Sequence, residues 1–365
     1  MSPFLKSRFT HFLFLVLVAL SVRVGAAFVW ENRVAPEFGF GDSLSYWTLG
    51  RAIATGEPYR YGAVEGEVFR TPGYPAILAP LFWIGGENPP VIWARLLGVV
   101  FGTLTVVAVW WLARILFDAR AAWIAGWITA LYPGAIATSI FVLSEAPFGL
   151  LMILNLVFWV KVCRAKGDRF KVAIGFALVA GVLAGLATLI HPSWLLFVPF
   201  AVVVWMIVEV VSKRRQFFRT GVLSVVLVLG LVLAMMPWWI RNFHVTGHFV
   251  PTTLQVGAGL YDGLNPKADG SSNMWFVDDF IAAERKSPQM DSSYLGFEGR
   301  VDRRMRQAAR TWASENPGRV LELAWVKFLR TWNIWPNEAS LSSFPAKVMV
   351  CMTYVPVLFL AVWEA

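Results

Sequence analysis

Two stretches in the first quarter of the chain carry residue types that could do chemistry together. The first is Gly41-Asp42-Ser43-Leu44-Ser45-Tyr46-Trp47, and the second is Arg70-Thr71-Pro72-Gly73-Tyr74-Pro75. A carboxylate such as Asp42 can remove the proton of an attacking group, which accelerates a reaction roughly 100- to 10,000-fold. The planar fork of donors on an arginine such as Arg70 suits phosphate oxygens better than a flexible lysine does. Together these groups are suited to chemistry on a phosphate-bearing substrate. The alternative for Arg70 is a solvent-exposed arginine beside a turn.

Asp42 also has a purely structural interpretation. Asp is favoured at the N-cap of a helix, where its carboxylate accepts from free backbone N–H groups. Tyr46, Leu49 and Ile53 recur at helical spacing, which predicts a short amphipathic helix over 43–55 that lies along the membrane surface. Capping and catalysis are compatible, and the sequence leaves both roles open.

Further polar residues lie at the ends of apolar runs. The motif Pro237-Trp238-Trp239-Ile240-Arg241-Asn242 supplies a second arginine beside aromatic rings, and Arg23 and Arg95 lie near the ends of two other runs. A charge within a membrane span is costly, so each suggests a function. The alternative is that Arg23 and Arg95 reach water along their alkyl chains or pair with another group.

Glu145 and His191 are the remaining polar candidates. Glu145 follows Ser144 at a predicted helix start, where an acid is also favoured by the helix dipole alone. His191 precedes Pro192 at the start of a run, and no second His or Cys stands at the spacing of a zinc site. We therefore predict no metal centre there and keep His191 as a phosphate or substrate contact.

The composition predicts an all-α polytopic membrane protein. Hydrophobic residues make up 57% of the 365 residues and charged residues only 15%, and several apolar runs reach the ~20 residues that cross a bilayer. The net charge of +9 comes from short loops between these runs. That placement is typical of the positive-inside bias and excludes a nucleic-acid partner. Cys163 and Cys351 form neither a disulfide framework nor a metal cluster.

Apolar length predicts eight spans, over 12–30, 91–117, 121–141, 145–160, 172–190, 194–211, 222–240 and 348–363. The run 74–84 is too short and contains prolines, so we interpret it as a surface or re-entrant segment. This choice puts the basic loops on the same side as the N-terminus, which is then cytoplasmic. Val24-Gly25-Ala26 also resembles a signal-peptide cleavage site, but the length of the first run and Arg23 favour a transmembrane helix.

Three regions follow from these assignments. We expect a helical membrane core over 1–240, including a first outer loop over 31–90, then an outer region over 241–346, and a last span over 347–365. Helical spacing recurs over 298–314 and 319–330, with Asn316-Pro317 as the boundary. The last run ends without a basic tail, which is typical of a truncated chain or an early stop.

The order of these motifs resembles GT-C membrane glycosyltransferases of the dolichyl-phosphate-mannose protein mannosyltransferase and aminoarabinose transferase type. The residues that carry the resemblance are Asp42 with Tyr46, Arg70-x-Pro72-Gly73-Tyr74-Pro75, Leu143-Ser144-Glu145, Pro237-Trp238-x-x-Arg241-Asn242 and Gly247-x-x-Val250-Pro251. They extend over most of the chain, and all are predicted to lie on the outer side of the membrane.

The resemblance implies a sugar donor carried on a polyprenyl phosphate, inversion at the anomeric carbon, and Asp42 as the general base. Arg70 and Arg241 would stabilise the leaving phosphate. The other residues at substrate-binding positions are Tyr46, Tyr74, Glu145, His191 and Asn242. The acceptor would be a lipid, a glycan or a protein. Such enzymes lie in the inner membrane among its lipids, with the active site facing the exterior. Some use a divalent cation and others do not.

Two departures and two alternative functions accompany this prediction. Ser43 follows Asp42 where protein mannosyltransferases carry an acidic pair, and His191-Pro192 stands where many bacterial relatives have arginine-proline.

A transporter or flippase of a lipid-linked saccharide would need polar or broken helices near the membrane midplane, often with an inverted repeat. A membrane assembly protein without chemistry is the alternative if Asp42 is only a cap.

Overall fold

The computed structural model describes residues 3–33, 38–165, 169–212, 217–286, 296–334 and 343–363. Within these ranges the regular structure is helical, apart from one isolated bridge between Tyr61 and Gly66. The α-helices are α1 Pro3–Arg33, α2 Gly41–Thr55, α3 Gly73–Gly85, α4 Val91–Leu116, α5 Ala119–Leu131, α6 Pro133–Ile140, α7 Glu145–Arg164, α8 Phe170–Ile190, α9 Phe197–Val211, α10 Phe217–Thr246, α11 Val256–Gly263, α12 Val277–Lys286, α13 Phe297–Glu315, α14 Pro317–Thr331 and α15 Phe344–Trp363. A 3₁₀ helix, Pro192–Leu196, precedes α9.

Six helical segments in the described ranges are long and apolar enough to cross a membrane: Phe9–Arg33, Val91–Leu116, Glu145–Arg164, Phe170–Ile190, Pro192–Val211 and Phe217–Thr246. This confirms the prediction of an all-α polytopic fold. Helix α3 has 13 residues, and at 1.5 Å per residue it is about 20 Å long, which is short of the ~30 Å hydrocarbon core. The predicted last span lies in α15, where the shorter apolar helix is Lys347–Phe359.

The run predicted as one span over 121–141 is instead two helices, α5 and α6. Pro133 has no N–H, so the carbonyl of Thr129 loses the donor that an uninterrupted helix would provide. The guanidinium of Arg23, which is fully buried in α1, donates to the carbonyls of Thr129 and Ala130, each at 2.9 Å. Arg23 therefore stabilises a broken helix through its hydrogen bonds.

Arg95 of α4 is a second buried arginine with a structural partner. Its Nε donates to the carboxylate of Glu31 at 2.6 Å, and its Nη1 donates to the carbonyl of Ile140 at the end of α6, at 3.1 Å. Gly102 lets α4 approach α6 closely, because a Cβ at this position would collide with the side chain of Ser139. Arg23 and Arg95 are therefore both buried with hydrogen-bond or ion-pair partners, and neither reaches water.

The chain divides into two compact units, here called the first unit (1–59 and 70–241) and the second unit (60–69 and 242–365). In the first unit, α7 packs against α4 and α8, and α2 packs against α3. In the second unit, α13 packs against α11 and α12 around a core of Phe276, Ile281, Val301 and Met305. The predicted helices over 298–314 and 319–330 are present as α13 and α14, with Asn316 between them.

Candidate active site

Helix α2 presents Asp42 in its first turn. The residue that precedes the helix is Phe40, in an extended conformation, so Asp42 lies inside the helix rather than at the predicted N-cap position. An acid in the first turn is still favoured by the helix dipole. The helix ends before Gly56, whose φ of 75° lies in the left-handed region that favours glycine. The predicted helix over 43–55 is therefore present over Gly41–Thr55, and its position along the membrane surface stays a prediction.

Arg70 connects Asp42 to the rest of α2. Its Nη2 donates to Oδ1 of Asp42, and its Nε donates to Oγ of Ser45 at 3.3 Å. The guanidinium also lies 5.0 Å from the ring centroid of Tyr46, within the range of a cation–π interaction. The side chain of Arg70 is 19% exposed, whereas that of Asp42 is 60% exposed. The arginine is thus held in place while the carboxylate stays accessible to an incoming molecule.

Two buried tyrosines form the floor of this site. Tyr46 and Tyr74 pack edge to face, with ring centroids 5.1 Å apart, and the Tyr46 hydroxyl lies 3.4 Å from Oγ of Ser144. Burial raises the pKa of both phenols, and the negative charge of Glu145 adds to this effect. For Tyr46, the positive charge of Arg70 partly opposes the increase in pKa. Both hydroxyls are therefore protonated near neutral pH and can act as hydrogen-bond donors.

Helices α7 and α8 bring Glu145 and His191 to the same end of the first unit. Glu145 opens α7, is exposed, and is close enough to Tyr46 and Tyr74 to affect their pKa values. His191 directly follows α8, and its ring centroid lies 4.8 Å from that of Phe148. Phe148 packs against the cluster that contains Tyr46 and Tyr74. His191 is therefore one aromatic ring away from this cluster.

Tyr59 is a contact residue that the sequence prediction missed. Its hydroxyl is within hydrogen-bond distance of the carbonyls of Arg70 and Thr71, at 3.1 and 3.3 Å. The guanidinium of Arg241 lies 5.4 Å from the Tyr59 ring centroid and 4.9 Å from that of Trp238. Burial raises the pKa of Tyr59 as well. Through this side chain, the backbone that carries Arg70 is connected to the second predicted phosphate contact, Arg241.

No local signal in the sequence singled out Tyr59. It stands in the polar loop Gly56-Glu57-Pro58-Tyr59, where no hydrophobic periodicity marks a buried face. Its hydroxyl contacts the backbone at Arg70, and its ring contacts Trp238. Both segments are distant from Tyr59 in the sequence. A tyrosine of this kind can be identified only once the fold has brought those segments together.

Asn242, a predicted substrate contact, forms a hydrogen bond within the polypeptide itself. Its buried side chain donates from Nδ2 to the carbonyl of Val250 at 3.1 Å, and both residues belong to the second unit. Gly247, between them, has a φ of 70° that favours glycine. This bond stabilises the turn after α10, and the predicted substrate contact of Asn242 stays a prediction.

The acids that the structure describes at this site do not form a metal-binding set. Among the described residues, no three His, Cys, Asp or Glu side chains lie close enough together to hold an ion. Asp42 is already bonded to Arg70. Asp42 and Glu145 supply negative charge near Tyr46, and Arg70 lies beside the same ring.

Part of the chain that carries these residues matches a model of a known protein family. Residues 70–240 match the family model described as dolichyl-phosphate-mannose-protein mannosyltransferase. This range includes Arg70, Tyr74, Glu145 and His191, and it ends immediately before Arg241. No curated protein matches the chain by sequence.

The fold is similar to that in the crystal structure of the Archaeoglobus fulgidus oligosaccharyltransferase in complex with Zn and sulfate. The TM-score is 0.50 at 14% sequence identity, and the match covers 93% of this chain and 52% of the other. The chain therefore spans about half the length of that protein. The matched family model is of the type that the sequence motifs resemble, and the likeness to the oligosaccharyltransferase concerns the fold.

Proposed function

We propose that the chain transfers a sugar from a polyprenyl-phosphate donor to an acceptor at the outer face of the membrane, with inversion. In this reaction an acceptor hydroxyl attacks the anomeric carbon as the bond from that carbon to the phosphate oxygen breaks. Asp42 takes the hydroxyl proton, and the lipid phosphate leaves as an anion without needing an acid. The observation that carries the proposal is the exposed Asp42 carboxylate held beside the Arg70 guanidinium.

The ion pair between Asp42 and Arg70 suggests an order of events. In the absence of donor, Arg70 neutralises the carboxylate. A phosphate group accepts two parallel hydrogen bonds from a guanidinium and competes well for it. Donor binding would therefore draw Arg70 towards the phosphate and leave Asp42 free to accept the proton. The guanidinium would then stabilise the negative charge that develops on the leaving group.

Arg241 is proposed as the second cation for the phosphate. Its guanidinium lies over the rings of Tyr59 and Trp238, an arrangement that restricts a flexible side chain before the ligand arrives. Because the Tyr59 hydroxyl bonds to the backbone at Arg70 and Thr71, movements of the two arginines would be coupled.

The protonated hydroxyls of Tyr46 and Tyr74, with the carboxylate of Glu145, are proposed to contact the sugar. Sugar hydroxyls both donate and accept hydrogen bonds, so a site that offers phenol donors and a carboxylate acceptor is complementary to them. His191 lies at the edge of this group through Phe148, which suits a contact to the donor phosphate or a sugar hydroxyl.

The distribution of charge supports an outer-face site. Helix α7 begins at Glu145, in the candidate site, and ends at Lys161 and Arg164. Helix α8 runs the opposite way, with Arg169 before its start and His191 after its end. Basic residues therefore concentrate at the helix ends opposite the candidate site, and the positive-inside rule assigns those ends to the cytoplasm. We propose an inner-membrane location with the N-terminus on the same side.

The broken helix α5–α6 bears on the transporter alternative. Transporters use the free carbonyls of a broken helix to bind ions or substrates. Here the carbonyls of Thr129 and Ala130 already accept hydrogen bonds from Arg23. This arrangement favours a structural role for the break, and so favours the enzyme over the transporter.

A donor comparison tests the proposal. Membranes that contain the full chain would receive a panel of labelled sugars carried either on a polyprenyl phosphate or on a nucleotide. We expect transfer from a polyprenyl-phosphate donor alone, with inverted anomeric configuration in the product by NMR. Transfer from the nucleotide sugar, or retention of configuration, would contradict the proposed reaction.

A further inference from the structure

A groove of about 580 Å³ lies at the opposite ends of the helices that form the candidate active site. It is lined by the apolar side chains of Ile115, Val172 and Phe176 and by the basic residues Lys161, Arg164 and Arg169. Helix α7 connects the two places, since Glu145 begins it and Arg164 ends it. Its 20 residues span about 30 Å at 1.5 Å per residue. The groove is therefore separate from the sugar-transfer site.

The basic side chains at the groove are held in place by the fold. The Lys161 ammonium lies 4.4 Å from the ring centroid of Trp111 and 5.2 Å from that of Phe176. Arg164 donates to the carbonyls of Ile115 and Leu116 at the C-terminal end of α4. These contacts fix two cations at one rim of an apolar groove.

The third cation, Arg169, directly precedes α8 and is exposed. Among the described residues that line the groove there is no carboxylate. The positive charge is therefore not neutralised from within the lining. A ligand that fits must combine an anionic head with a hydrocarbon chain.

We propose that this groove binds an anionic phospholipid of the surrounding bilayer. The phosphate would contact Lys161, Arg164 and Arg169, and one acyl chain would lie along Ile115, Val172 and Phe176. Basic pockets between transmembrane helices on the cytoplasmic side recognise anionic head groups in this way. The alkyl parts of lysine and arginine also let the charged ends reach the head-group region from within the membrane. The lipid would bridge α4, α7 and α8 and stabilise their ends.

Native mass spectrometry of the purified full chain provides the test. The protein would be equilibrated with equal amounts of phosphatidylglycerol and phosphatidylcholine of identical acyl chains, which differ in net charge. We expect at least tenfold preferential retention of phosphatidylglycerol, together with a higher thermal unfolding midpoint in that lipid. Equal retention of the two lipids, or tighter retention of added undecaprenyl phosphate than of phosphatidylglycerol, would overturn the proposal.

A pair of variants assigns the preference to this groove. The double variant Lys161→Gln, Arg169→Gln removes two of its cations, whereas Lys171→Gln removes an exposed neighbouring lysine of α8 that does not line it. We expect the double variant to lose the preference for phosphatidylglycerol and the control to keep it. Preference retained by a folded double variant, or lost equally in the control, would contradict the assignment. Because the readout is lipid retention, it is independent of whether sugar transfer occurs.

Discussion

The guanidinium of Arg70 bonds to the carboxylate of Asp42, although the two residues are 28 positions apart in the chain. The turn that follows Arg70 and the helix α2 that carries Asp42 create this contact at the surface of the first unit. In the proposed reaction, the donor phosphate draws Arg70 away from Asp42, so the pair would connect donor binding to proton removal.

Replacing Arg70 with lysine keeps the positive charge but removes the planar fork of donors. We expect kcat/KM to fall roughly 10- to 100-fold, which corresponds to about 1.4–2.8 kcal/mol, because lysine cannot give two parallel hydrogen bonds to the phosphate. The measurement is the initial transfer rate at a series of donor concentrations.

Arg60→Lys is the matched control for this change. Arg60 is exposed and forms a surface ion pair with Glu67 at 2.8 Å, which contributes little to stability. Its replacement should leave the rate within twofold of the wild type. An equal loss of rate in both variants would show that Arg70 has no special role in phosphate recognition.

Replacing Tyr59 with phenylalanine removes a hydroxyl while keeping the ring on which Arg241 lies. The carbonyls of Arg70 and Thr71 would lose a hydrogen-bond donor, so the loop that carries Arg70 should become less ordered. We expect a higher KM for the donor, by about three- to tenfold, since one hydrogen bond is worth about 1 kcal/mol. An unchanged KM would mean that this bond does not position Arg70.

The raised pKa of Tyr59 gives a further prediction at high pH. Its folded-state pKa lies above the ordinary value of 10.0, so the unfolded chain loses the phenol proton first. The stabilisation from the neutral phenol is therefore complete below about pH 10 and is lost as the pH rises above that value. We expect the thermal unfolding midpoint of the wild type to fall as the pH rises above 10. The midpoint of the Tyr59→Phe variant should fall less steeply over the same pH range. Parallel curves for the two proteins would contradict this account.

Arg23→Met tests the structural role of the buried arginine. Methionine has similar length, but it leaves the carbonyls of Thr129 and Ala130 without their donor inside the first unit. Each unsatisfied buried group costs about 1–3 kcal/mol, so we expect a total loss of about 2–6 kcal/mol in unfolding free energy. Arg120→Met, at an exposed position near the start of α5, should change stability by less than about 0.5 kcal/mol. Equal stability of the two variants would rule out this role for Arg23.

The sequence predicted those features that depend on local properties. Apolar length identified the helical membrane fold, and the Asn316-Pro317 boundary separated α13 from α14. The motifs also singled out Asp42 and Arg70, whose side chains do meet. Local patterns carry this information because helix formation and turn geometry depend mainly on neighbouring residues.

Features that depend on packing were less predictable. The run over 121–141 has the length of a span, and only Pro133 signals that it breaks into two helices. What makes the break tolerable is Arg23, more than a hundred residues away from Thr129 and Ala130. Tyr59 was missed for the same reason, since its partners come from distant segments.

The central claim is that Asp42 removes the acceptor proton, and a single-turnover transfer assay tests it most directly. Wild type, Asp42→Asn and the control Asp118→Asn would be compared in membranes at matched expression, with saturating labelled polyprenyl-phosphate sugar. Asp118 caps α5 by accepting from the N–H of Ala121, so its replacement alters a carboxylate outside the candidate site. We expect the chemical step to be at least roughly 100-fold slower in Asp42→Asn and the rate to be near normal in Asp118→Asn. A wild-type rate in the Asp42→Asn variant would contradict it.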